Sequence, residues 1–489
     1  MTLHHDSFDT IIIGAGQAGP GLASALDGRG EKVALFEQRA FGGTCLNDGC
    51  RPTKAMRASA RVAHLARTAP KHGVHTGDVT VNLAETVARK DKLIDAWREG
   101  GSEYYENHET ISYVLTTARI VGRDGELFQV ELDGGVQSGG VQSGGASGNS
   151  GVGIAESATP RVVTAKRVIV NSGARSVPPP VPGLDGIAWL DHHRILELTE
   201  VPDHLVILGG SYIGLEFGQM FSRFGAKVTI LEVADRVIGR EDPDISAAVA
   251  GMLRREGLDV REGVEVARID MTEKGARLHL VGGDNLDASH VLVAAGRVPN
   301  SDNLGLDSIG VETDERGYIT TDEHFASNVE GVYAVGDVNG RGAFTHTSYQ
   351  DGTILADHLA GGDMTVAGRV PTYGLFVDPP LGRVGMTVAQ AQEAGLDVEV
   401  STTPGDGVTK AALDGETEGL WRLVVDKSKD RVVGASFFGL YGDEAVQAIS
   451  LLMHVEAPAS ALATWLPIHP TSAEFLPTFY GGLKKPKDD

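Results

Sequence analysis

Residues 9–20 read Asp9-Thr10-Ile11-Ile12-Ile13-Gly14-Ala15-Gly16-Gln17-Ala18-Gly19-Pro20. The apolar run predicts a short buried strand, the glycines predict a tight turn, and Pro20 suits the first turn of a helix that extends to Leu26. A second strand is predicted over residues 32–36, and Glu37 closes it. Together these features predict one β-α-β unit of the type that binds dinucleotides.

The same order of elements recurs later in the chain. A predicted strand over residues 205–208 leads into Gly209-Gly210-Ser211-Tyr212-Ile213-Gly214, an apolar helix to Phe224, and a strand over residues 227–231 that Glu232 closes. The acidic residue follows the first glycine by 23 positions in both units, 37 − 14 and 232 − 209. Two units with one spacing predict two bound dinucleotides.

Each glycine of such a turn has its own physical role. The first adopts a positive backbone dihedral, the second lets a pyrophosphate approach the chain, and the third lets the helix pack closely on the strand. Gly14, Gly16 and Gly19 supply all three in the first unit. Glycine turns also occur for packing alone, but here the strand, the helix and the acid agree. The pyrophosphate would lie at the helix N-terminus, and Glu37 would accept hydrogen bonds from the ribose.

The second unit differs from the first at its middle glycine, where Ser211 stands. A serine is small enough to permit close approach of a phosphate. Glu232 suits two free ribose hydroxyls and would repel a 2′-phosphate, so the sequence favours NAD(H) over NADP(H). Arg236, four residues further on, keeps the opposite preference open.

Composition excludes several functional classes. The 489 residues carry 43 Lys+Arg against 66 Asp+Glu, a net charge of -23, which disfavours binding to nucleic acid or to an anionic membrane. The start of the chain lacks a basic segment followed by an apolar one, and no apolar run is long enough to cross a bilayer. We therefore expect a cytoplasmic protein. Two cysteines exclude a secreted disulfide scaffold and a four-thiolate zinc site, and no metal site is predicted.

The two cysteines lie close together, in Gly42-Gly43-Thr44-Cys45-Leu46-Asn47-Asp48-Gly49-Cys50-Arg51-Pro52-Thr53-Lys54. An amphipathic helix is predicted to follow to about Arg67, which places the cysteines at a helix start. That position and the cation of Arg51 favour a thiolate, although Asp48 opposes it. Inert thiols or a plain stabilising bridge are the alternatives, but a four-residue spacer closes too small a loop to constrain the unfolded chain much. The pair is predicted to be redox-active.

Two segments separate these motifs. Residues 134–153 repeat Gly-Val-Gln-Ser-Gly without a charged or aromatic residue and predict a flexible insertion between strands. Pro178-Pro179-Pro180 and Pro182 predict a stiff crossing into the second unit. From about Pro371, strands such as residues 423–425 alternate with an apolar helix over residues 445–455 and predict a separate domain.

A series of separated motifs carries a family resemblance. Besides the two glycine turns and the cysteine segment, they are Gly296-Arg297-Val298-Pro299-Asn300, Val332-Tyr333-Ala334-Val335-Gly336-Asp337 and His469-Pro470-Thr471-Ser472-Ala473-Glu474. The sequence resembles the class I pyridine-nucleotide disulfide oxidoreductases, which include dihydrolipoamide dehydrogenase, glutathione reductase and mercuric reductase. The resemblance covers nearly the whole chain. It implies an α/β fold with two Rossmann-like domains and a C-terminal α+β dimerisation domain. Residues 1–176 and 297–361 would bind FAD, residues 177–296 would bind NAD(P), and residues 368–489 would form the dimer.

The resemblance also implies roles for single residues. Cys50 would be the thiol next to the flavin that forms the charge-transfer complex, and Cys45 would exchange with substrate. His469, oriented by Glu474, would move the proton and would serve the disulfide of the other subunit, which makes the homodimer obligatory. The His469-Pro470 peptide is predicted to be cis. The implied FAD contacts are Gly14, Gly16, Gly19, Glu37, Gly43, Thr44, Lys54, Ser172, Gly173 and Asp337 on the ribityl chain. The implied NAD(P) contacts are Gly209, Ser211, Tyr212 over the nicotinamide pocket, Ile213, Gly214, Glu216 as the partner of Lys54, Glu232 and Gly296.

The substrate has more than one candidate. The His-Glu pair, Glu232 and the lack of an extra thiol favour a disulfide or dithiol, as in dihydrolipoamide dehydrogenase, presented as a small molecule or by a lipoyl domain. Residues 342–349 and 378–385 look more like a mercuric-reductase-like branch, but Hg(II) delivery needs thiolates and residues 484–489 contain no sulfur. Asp48 and Arg51 place charge where an apolar substrate arm would approach. A redox-sensing flavoprotein without turnover is the alternative of another class.

Overall fold

A computed structural model describes residues 3–133 and 160–486. The insertion predicted at residues 134–153 lies outside the described residues. The chain divides into two compact units. Unit 1 consists of Met1–Thr53, Arg89–Val177 and Arg297–Ala367, and unit 2 consists of Lys54–Ala88, Pro178–Gly296 and Gly368–Asp489.

The strands of the described residues are short, as expected for packed α/β and α+β layers. They are β1 Ser7–Ile13, β2 Val33–Glu37, β3 Ile111–Leu115, β4 Ala118–Asp124, β5 Leu127–Leu132, β6 Arg161–Val170, β7 Ala174–Ser176, β8 His204–Leu208, β9 Lys227–Glu232, β10 Asp259–Glu262, β11 Val266–Thr272, β12 Gly275–Leu280, β13 Asn285–Ala288, β14 His290–Val293, β15 Arg297–Pro299, β16 Val332–Ala334, β17 Thr372–Leu375, β18 Leu381–Gly385, β19 Val398–Pro404, β20 Gly419–Asp426 and β21 Arg431–Gly439.

The helices range from one turn to more than six turns. They are α1 Gly19–Asp27, α2 Gly43–Asn47, α3 Cys50–Thr68, α4 Leu83–Glu106, α5 Tyr212–Phe224, α6 Pro243–Arg255, α7 Thr345–His358, α8 Val388–Glu393, α9 Thr409–Leu413, α10 Gly442–His454, α11 Ala461–Thr464 and α12 Leu476–Gly481. Among the described residues, none of these helices combines the length and the apolar character that crossing a membrane requires.

Unit 1 is built on a sheet with strand order β3-β2-β1-β6-β5-β4, and β16 also pairs with β6. The pairs β3-β2, β2-β1, β1-β6 and β6-β16 are parallel, whereas β5 and β4 are antiparallel additions. All five residues of β2 are buried. An apolar strand of this type suits a parallel strand that is covered on both faces.

The described residues of unit 2 form three sheets. Strands β10-β9-β8-β14 form a parallel sheet, β11-β12-β13 form an antiparallel sheet, and β17-β18-β21-β20-β19 form a second antiparallel sheet. Helix α10 packs on β18 and β21 through Ala445, Val446 and Ile449, which are buried in the same apolar cluster as strand residues such as Val384 and Phe437. The predicted helix over residues 445–455 is therefore present, with its start three residues earlier.

Candidate active site

The first glycine turn joins β1 to α1 in unit 1. Gly14 has φ +110°, and a Cβ atom there would lie 2.3 Å from the carbonyl oxygen of Asn171. A Cβ atom on Gly19 would lie 2.4 Å from the carbonyl oxygen of Gly14. Both positions therefore require glycine, the first for its dihedral and both for close packing.

Glu37 at the end of β2 holds this turn. Its carboxylate accepts hydrogen bonds from the backbone N–H of Ala15 at 2.8 Å and of Arg39 at 2.9 Å. Burial raises the pKa of Glu37, and the two N–H donors oppose that rise. The carboxylate is thus fixed beside the turn, where the adenosine ribose is expected.

The second glycine turn repeats this geometry in unit 2. Gly209 has φ +115°, and a Cβ atom on Gly214 would lie 2.0 Å from the carbonyl oxygen of Gly209. Glu232 accepts from the backbone N–H of Gly210 at 2.6 Å and of Ala234 at 2.8 Å. In both units the acid binds the residue after the first glycine and the residue two positions after itself. The common spacing of 23 residues in the sequence thus corresponds to a common structure.

The backbone conformation at Ser211 shows why a serine can replace the middle glycine of the second turn. Ser211 is extended, with φ −97° and ψ −167°, and precedes α5. In the first turn, a Cβ atom on Gly16 would meet its nearest atom at 3.4 Å, so this position has room for a small side chain. Ser211 therefore preserves the turn.

The cysteine pair lies in unit 1, at the starts of two different helices. Cys45 is in the short helix α2, whereas Cys50 is the first residue of α3. The prediction of one shared helix start is thus wrong in detail, because residues 48 and 49 interrupt the helix. The thiols are not bonded to each other and correspond to the reduced dithiol.

The two thiols interact through a hydrogen bond. A hydrogen bond to Cys50 raises the pKa of Cys45, and burial raises that pKa further. The Sγ atom of Cys50 lies 3.2 Å from Oγ1 of Thr345, the first residue of α7. Of the two thiols, Cys45 is therefore held in the protonated form by its surroundings.

Asp48 does not place charge at an approach to the cysteines. It is only 4% exposed, and its carboxylate forms an ion pair with Arg39. The expectation that Asp48 places charge where a substrate arm would approach is therefore wrong, because the carboxylate is buried in unit 1 and a cation neutralises it. Arg51 is exposed, and its guanidinium carbon lies 5.1 Å from the centroid of the Trp97 ring.

Asp337 lies directly after Gly336, which has φ +76°. Its carboxylate accepts from Nη1 of Arg297 at 2.9 Å and from the hydroxyl of Ser348 at 3.4 Å. Gly43 belongs to the same unit, and a Cβ atom there would lie 2.8 Å from Cα of Gly16. Unit 1 thus brings a glycine-lined turn, a fixed ribose-type acid and the cysteine segment into one body, and this arrangement fits a flavin dinucleotide.

Lys54 and Glu216 are both in unit 2. The ammonium nitrogen of Lys54 donates to Oε2 of Glu216 at 2.7 Å, so the pairing that the resemblance implies is present. It also lies 4.3 Å from the centroid of the Phe376 ring. The second oxygen of Glu216 accepts from the backbone N–H of Phe376 at 2.9 Å. Both carboxylate oxygens are therefore held.

His469 and Glu474 form a pair in unit 2. Nδ1 of His469 lies 2.8 Å from Oε2 of Glu474, and the peptide between His469 and Pro470 is cis, as predicted. The side chain of His469 is 77% exposed, whereas that of Glu474 is 16% exposed. The glutamate thus fixes Nδ1 and leaves Nε2 directed away from its partner, which suits an acid-base group.

A family model described as pyridine nucleotide-disulphide oxidoreductase matches residues 8–352, and a model of the dimerisation domain of the same family matches residues 371–479. The chain belongs to this family. The predicted fold class is confirmed, with FAD-binding and NAD-binding domains and a C-terminal dimerisation domain. Membership also supports the flavoprotein oxidoreductase assignment and a homodimer.

Several relatives in the family cover most of the chain. A probable pyridine nucleotide-disulfide oxidoreductase, RclA of Escherichia coli, is 31% identical over 98% of this chain and 100% of its own length. A mercuric reductase of Staphylococcus aureus is 30% identical over 91% of this chain and 76% of its own length. A dihydrolipoyl dehydrogenase of Chlamydia muridarum is 30% identical over 96% of this chain and 95% of its own length. The solved structure of the HOCl-induced flavoprotein disulfide reductase RclA from Escherichia coli has a TM-score of 0.84, 30% identity and coverage of 97% and 99%. Relatives with different substrates thus match equally well.

Two features of the site were missed by reasoning from the sequence. Thr345 contacts Cys50 from 295 residues away, and no local pattern links them. In unit 2, the hydroxyl of Tyr373 donates to buried Glu241 at 2.9 Å, and that carboxylate also pairs with Arg383 at 3.4 Å and lies 3.5 Å from the hydroxyl of Tyr212. The pKa of Tyr212 is raised, and burial is the largest cause of the rise. Tyr212 is therefore anchored by a network that no motif signalled.

Proposed function

We propose that this chain is an NAD(H)-linked flavoprotein reductase of disulfides, with Cys45 and Cys50 as the redox pair. The observation that carries the proposal is the hydrogen-bonded thiol pair beside Thr345, within the same unit as the Gly14 turn. Residues 1–176 and 297–361 form the FAD domain in this proposal, residues 177–296 the nucleotide domain, and residues 368–489 the dimerisation domain. Bound FAD supplies the chemistry that joins a two-electron hydride donor to the dithiol.

The residues expected to hold the cofactors follow from the two turns. The FAD contacts proposed in unit 1 are Gly14, Gly16, Gly19, Glu37, Gly43, Thr44, Ser172, Gly173 and Asp337, and Lys54 is proposed as a further contact. The NAD(H) contacts proposed in unit 2 are Gly209, Ser211, Tyr212, Ile213, Gly214, Glu216, Glu232 and Gly296. A phosphate group at either turn meets free N–H groups at a helix start, which favour negative charge.

The thiol pair is proposed to reduce its substrate by thiol–disulfide exchange. The Cys45 sulfur attacks one sulfur of a substrate disulfide, a Cys45–substrate bond forms, the substrate S–S bond breaks, and the first thiol leaves. The Cys50 thiolate then attacks Cys45 and forms the Cys45–Cys50 bond, and the second thiol leaves. Two electrons pass to the substrate, and each leaving sulfur takes a proton.

His469 is proposed to move these protons. The pKa of Cys45 is raised by its hydrogen bond to Cys50 and by burial, so its thiol needs a base before it can attack. The partner subunit's His469 would remove that proton and return it to the leaving thiol. Glu474 holds Nδ1 at 2.8 Å and so keeps Nε2 available for this transfer.

A soft metal ion is the second candidate acceptor. Two adjacent thiols are a donor set that suits Hg(II) and copper. Mercuric reductases are among the relatives, and one solved structure is described as a Cu(II) complex of RclA from Escherichia coli. The chain supplies only these two cysteines, so it lacks further thiols to deliver such an ion inward. A disulfide or dithiol substrate is therefore preferred.

One panel of assays tests the proposal. Purified holoenzyme is mixed with NADH or NADPH and with lipoamide, oxidised glutathione, small disulfides, quinones, Hg(II) or Cu(II). Reduction of a disulfide supports the proposal, whereas turnover of metal ions alone would favour the second candidate. Flavin reduction with no turnover of any acceptor would indicate a sensing protein and would refute the proposal.

Glu232 is expected to select NADH over NADPH. Both oxygens of its carboxylate are held at the turn, and a 2′-phosphate brought there would meet a fixed negative charge. At limiting nucleotide concentration, we expect NADH to reduce the flavin at least about tenfold faster than NADPH does, and Glu232→Ala to lower this ratio of rates. Rapid mixing of the enzyme with each nucleotide measures the two rates. Equal rates with both nucleotides in the unchanged enzyme would show that Arg236 or another cation outweighs Glu232.

Thr345 is expected to stabilise the Cys50 thiolate. Its hydroxyl is within hydrogen-bond distance of Sγ, and such a bond to a charged group favours ionisation. Thr345→Val should raise the pH midpoint of the long-wavelength thiolate band of the reduced enzyme by about one unit. Thr345→Ser keeps the hydroxyl and serves as the matched control. An unchanged midpoint in the valine variant would contradict the role.

A further inference from the structure

Arg51 carries an exposed cation near the start of α3. Within residues 3–133 and 160–486, its guanidinium forms no hydrogen bond and no ion pair, although the chain carries 66 Asp+Glu. Its contact is with the face of Trp97, 5.1 Å from the guanidinium carbon, and that tryptophan is itself 47% exposed. The five N–H donors of Arg51 thus remain available.

Acidic side chains of the cysteine segment and of α4 pair with other cations. Asp48 forms its ion pair with Arg39. On α4, Asp95 pairs with Arg98, whose guanidinium also donates to Asn47 of the cysteine segment at 3.4 Å. These acids are already matched by cations, so Arg51 leaves a local positive charge on a protein whose net charge is -23.

This charge lies at the redox pair. Arg51 directly follows Cys50 in the sequence, and its positive charge lowers the pKa of Cys45, against the larger rise caused by Cys50 and burial. The stack on Trp97 restrains the long side chain, so that little further entropy is lost when an anion binds.

We propose that Arg51, held over Trp97, binds an anionic group of the substrate, and that the preferred substrates are small disulfides carrying a carboxylate a few bonds from the sulfur. The planar guanidinium can donate two parallel hydrogen bonds to a carboxylate. An amide-linked or cationic disulfide lacks this interaction. The inference rests on the proposed function of the thiol pair and names its substrate class.

Three disulfides of similar length test the inference with holoenzyme and NADH. They are 3,3′-dithiodipropionate, which is anionic, 2-hydroxyethyl disulfide, which is neutral, and cystamine, which is cationic. We expect kcat/KM to fall in that order, by about fivefold between the anionic and neutral substrates, as a partly exposed ion pair allows. Arg51→Gln should remove that difference and Arg51→Lys should keep part of it. Raising the salt concentration should reduce the difference in the unchanged enzyme.

The ratio between substrates separates recognition from an effect on the thiols. Loss of Arg51 also changes the ionisation of the cysteines, but that change alters all three rates alike and cancels in the ratio. Trp97→Leu should weaken the preference by freeing Arg51, whereas Trp97→Phe retains a ring. Arg123 of β4 gives the matched control, because its guanidinium carbon lies 4.7 Å from the centroid of the Phe128 ring. Arg123→Gln removes the same charge and the same type of contact as Arg51→Gln.

Each outcome has one reading. If the unchanged enzyme reduces none of the three disulfides, nor any other, the proposed function fails. If kcat/KM of the unchanged enzyme does not fall from the anionic to the neutral to the cationic disulfide, the role of Arg51 is overturned. It is also overturned if Arg51→Gln and Arg123→Gln change this ranking of the substrates equally. Loss of the order in Arg51→Gln alone supports it.

Discussion

Replacing Cys45 by serine is expected to lower disulfide turnover by about 10⁴-fold or more, while the reduced enzyme keeps its long-wavelength thiolate band. Serine has no accessible anion at neutral pH and cannot form the mixed disulfide on which exchange depends. The band is expected to survive because it depends on the other sulfur. The surroundings of Cys45 raise its pKa, whereas the Sγ atom of Cys50 lies 3.2 Å from the hydroxyl of Thr345.

Replacing Cys50 by serine gives the complementary result. Both the band and disulfide turnover should be lost, since neither the thiolate nor the resolving sulfur remains. Absorbance spectra after mild reduction and steady-state assays on both variants measure these effects, with flavin content checked in each. A band that disappears in Cys45→Ser and persists in Cys50→Ser would reverse the roles assigned to the two sulfurs.

The fold could be predicted from short segments because its deciding features are local. The glycines at 14, 19, 209 and 214 occupy positions where a Cβ atom would collide with backbone, so the turn can be recognised without a tertiary model. Glu37 and Glu232 follow from the same reasoning, because a fixed spacing puts each acid at the end of the next parallel strand.

The parts that could not be predicted depend on residues far apart in the chain. Thr345 reaches Cys50 only because α7 begins beside the cysteine segment in the folded unit. Asp48 appears in the sequence as a charge next to the redox pair, yet its partner is Arg39, which follows a different strand. Charge patterns within a segment show which ions are present but not which tertiary partner neutralises them.

His469 illustrates a third case, in which the role came from resemblance rather than from residue chemistry. A single histidine near the end of a chain predicts little. The structure adds that Glu474 holds Nδ1 and that the ring is largely exposed in the single chain, but these facts do not identify the subunit whose thiols it serves. That question requires variants in two chains at once.

His469→Ala is expected to lower disulfide turnover by about 10²- to 10⁴-fold while flavin reduction by NADH stays nearly unchanged, because only the thiol step needs the proton. Glu474→Gln should give a smaller loss in the same direction, since it weakens the hold on Nδ1 without removing the imidazole. Rapid-mixing reduction and steady-state turnover separate the two steps.

Mixed dimers decide between action across the interface and action within one chain. In a dimer of one Cys45→Ser chain and one His469→Ala chain, one site would combine an intact Cys45 with the partner subunit's His469, and the other site would have neither. Random exchange makes half of the dimers mixed, each with one of two sites intact, so about a quarter of normal activity should return. A histidine that acts within its own chain predicts no recovery, because each chain of the mixed dimer then lacks one of its two groups. With subunit exchange verified by differently tagged chains, the absence of recovered activity would therefore rule out the shared site.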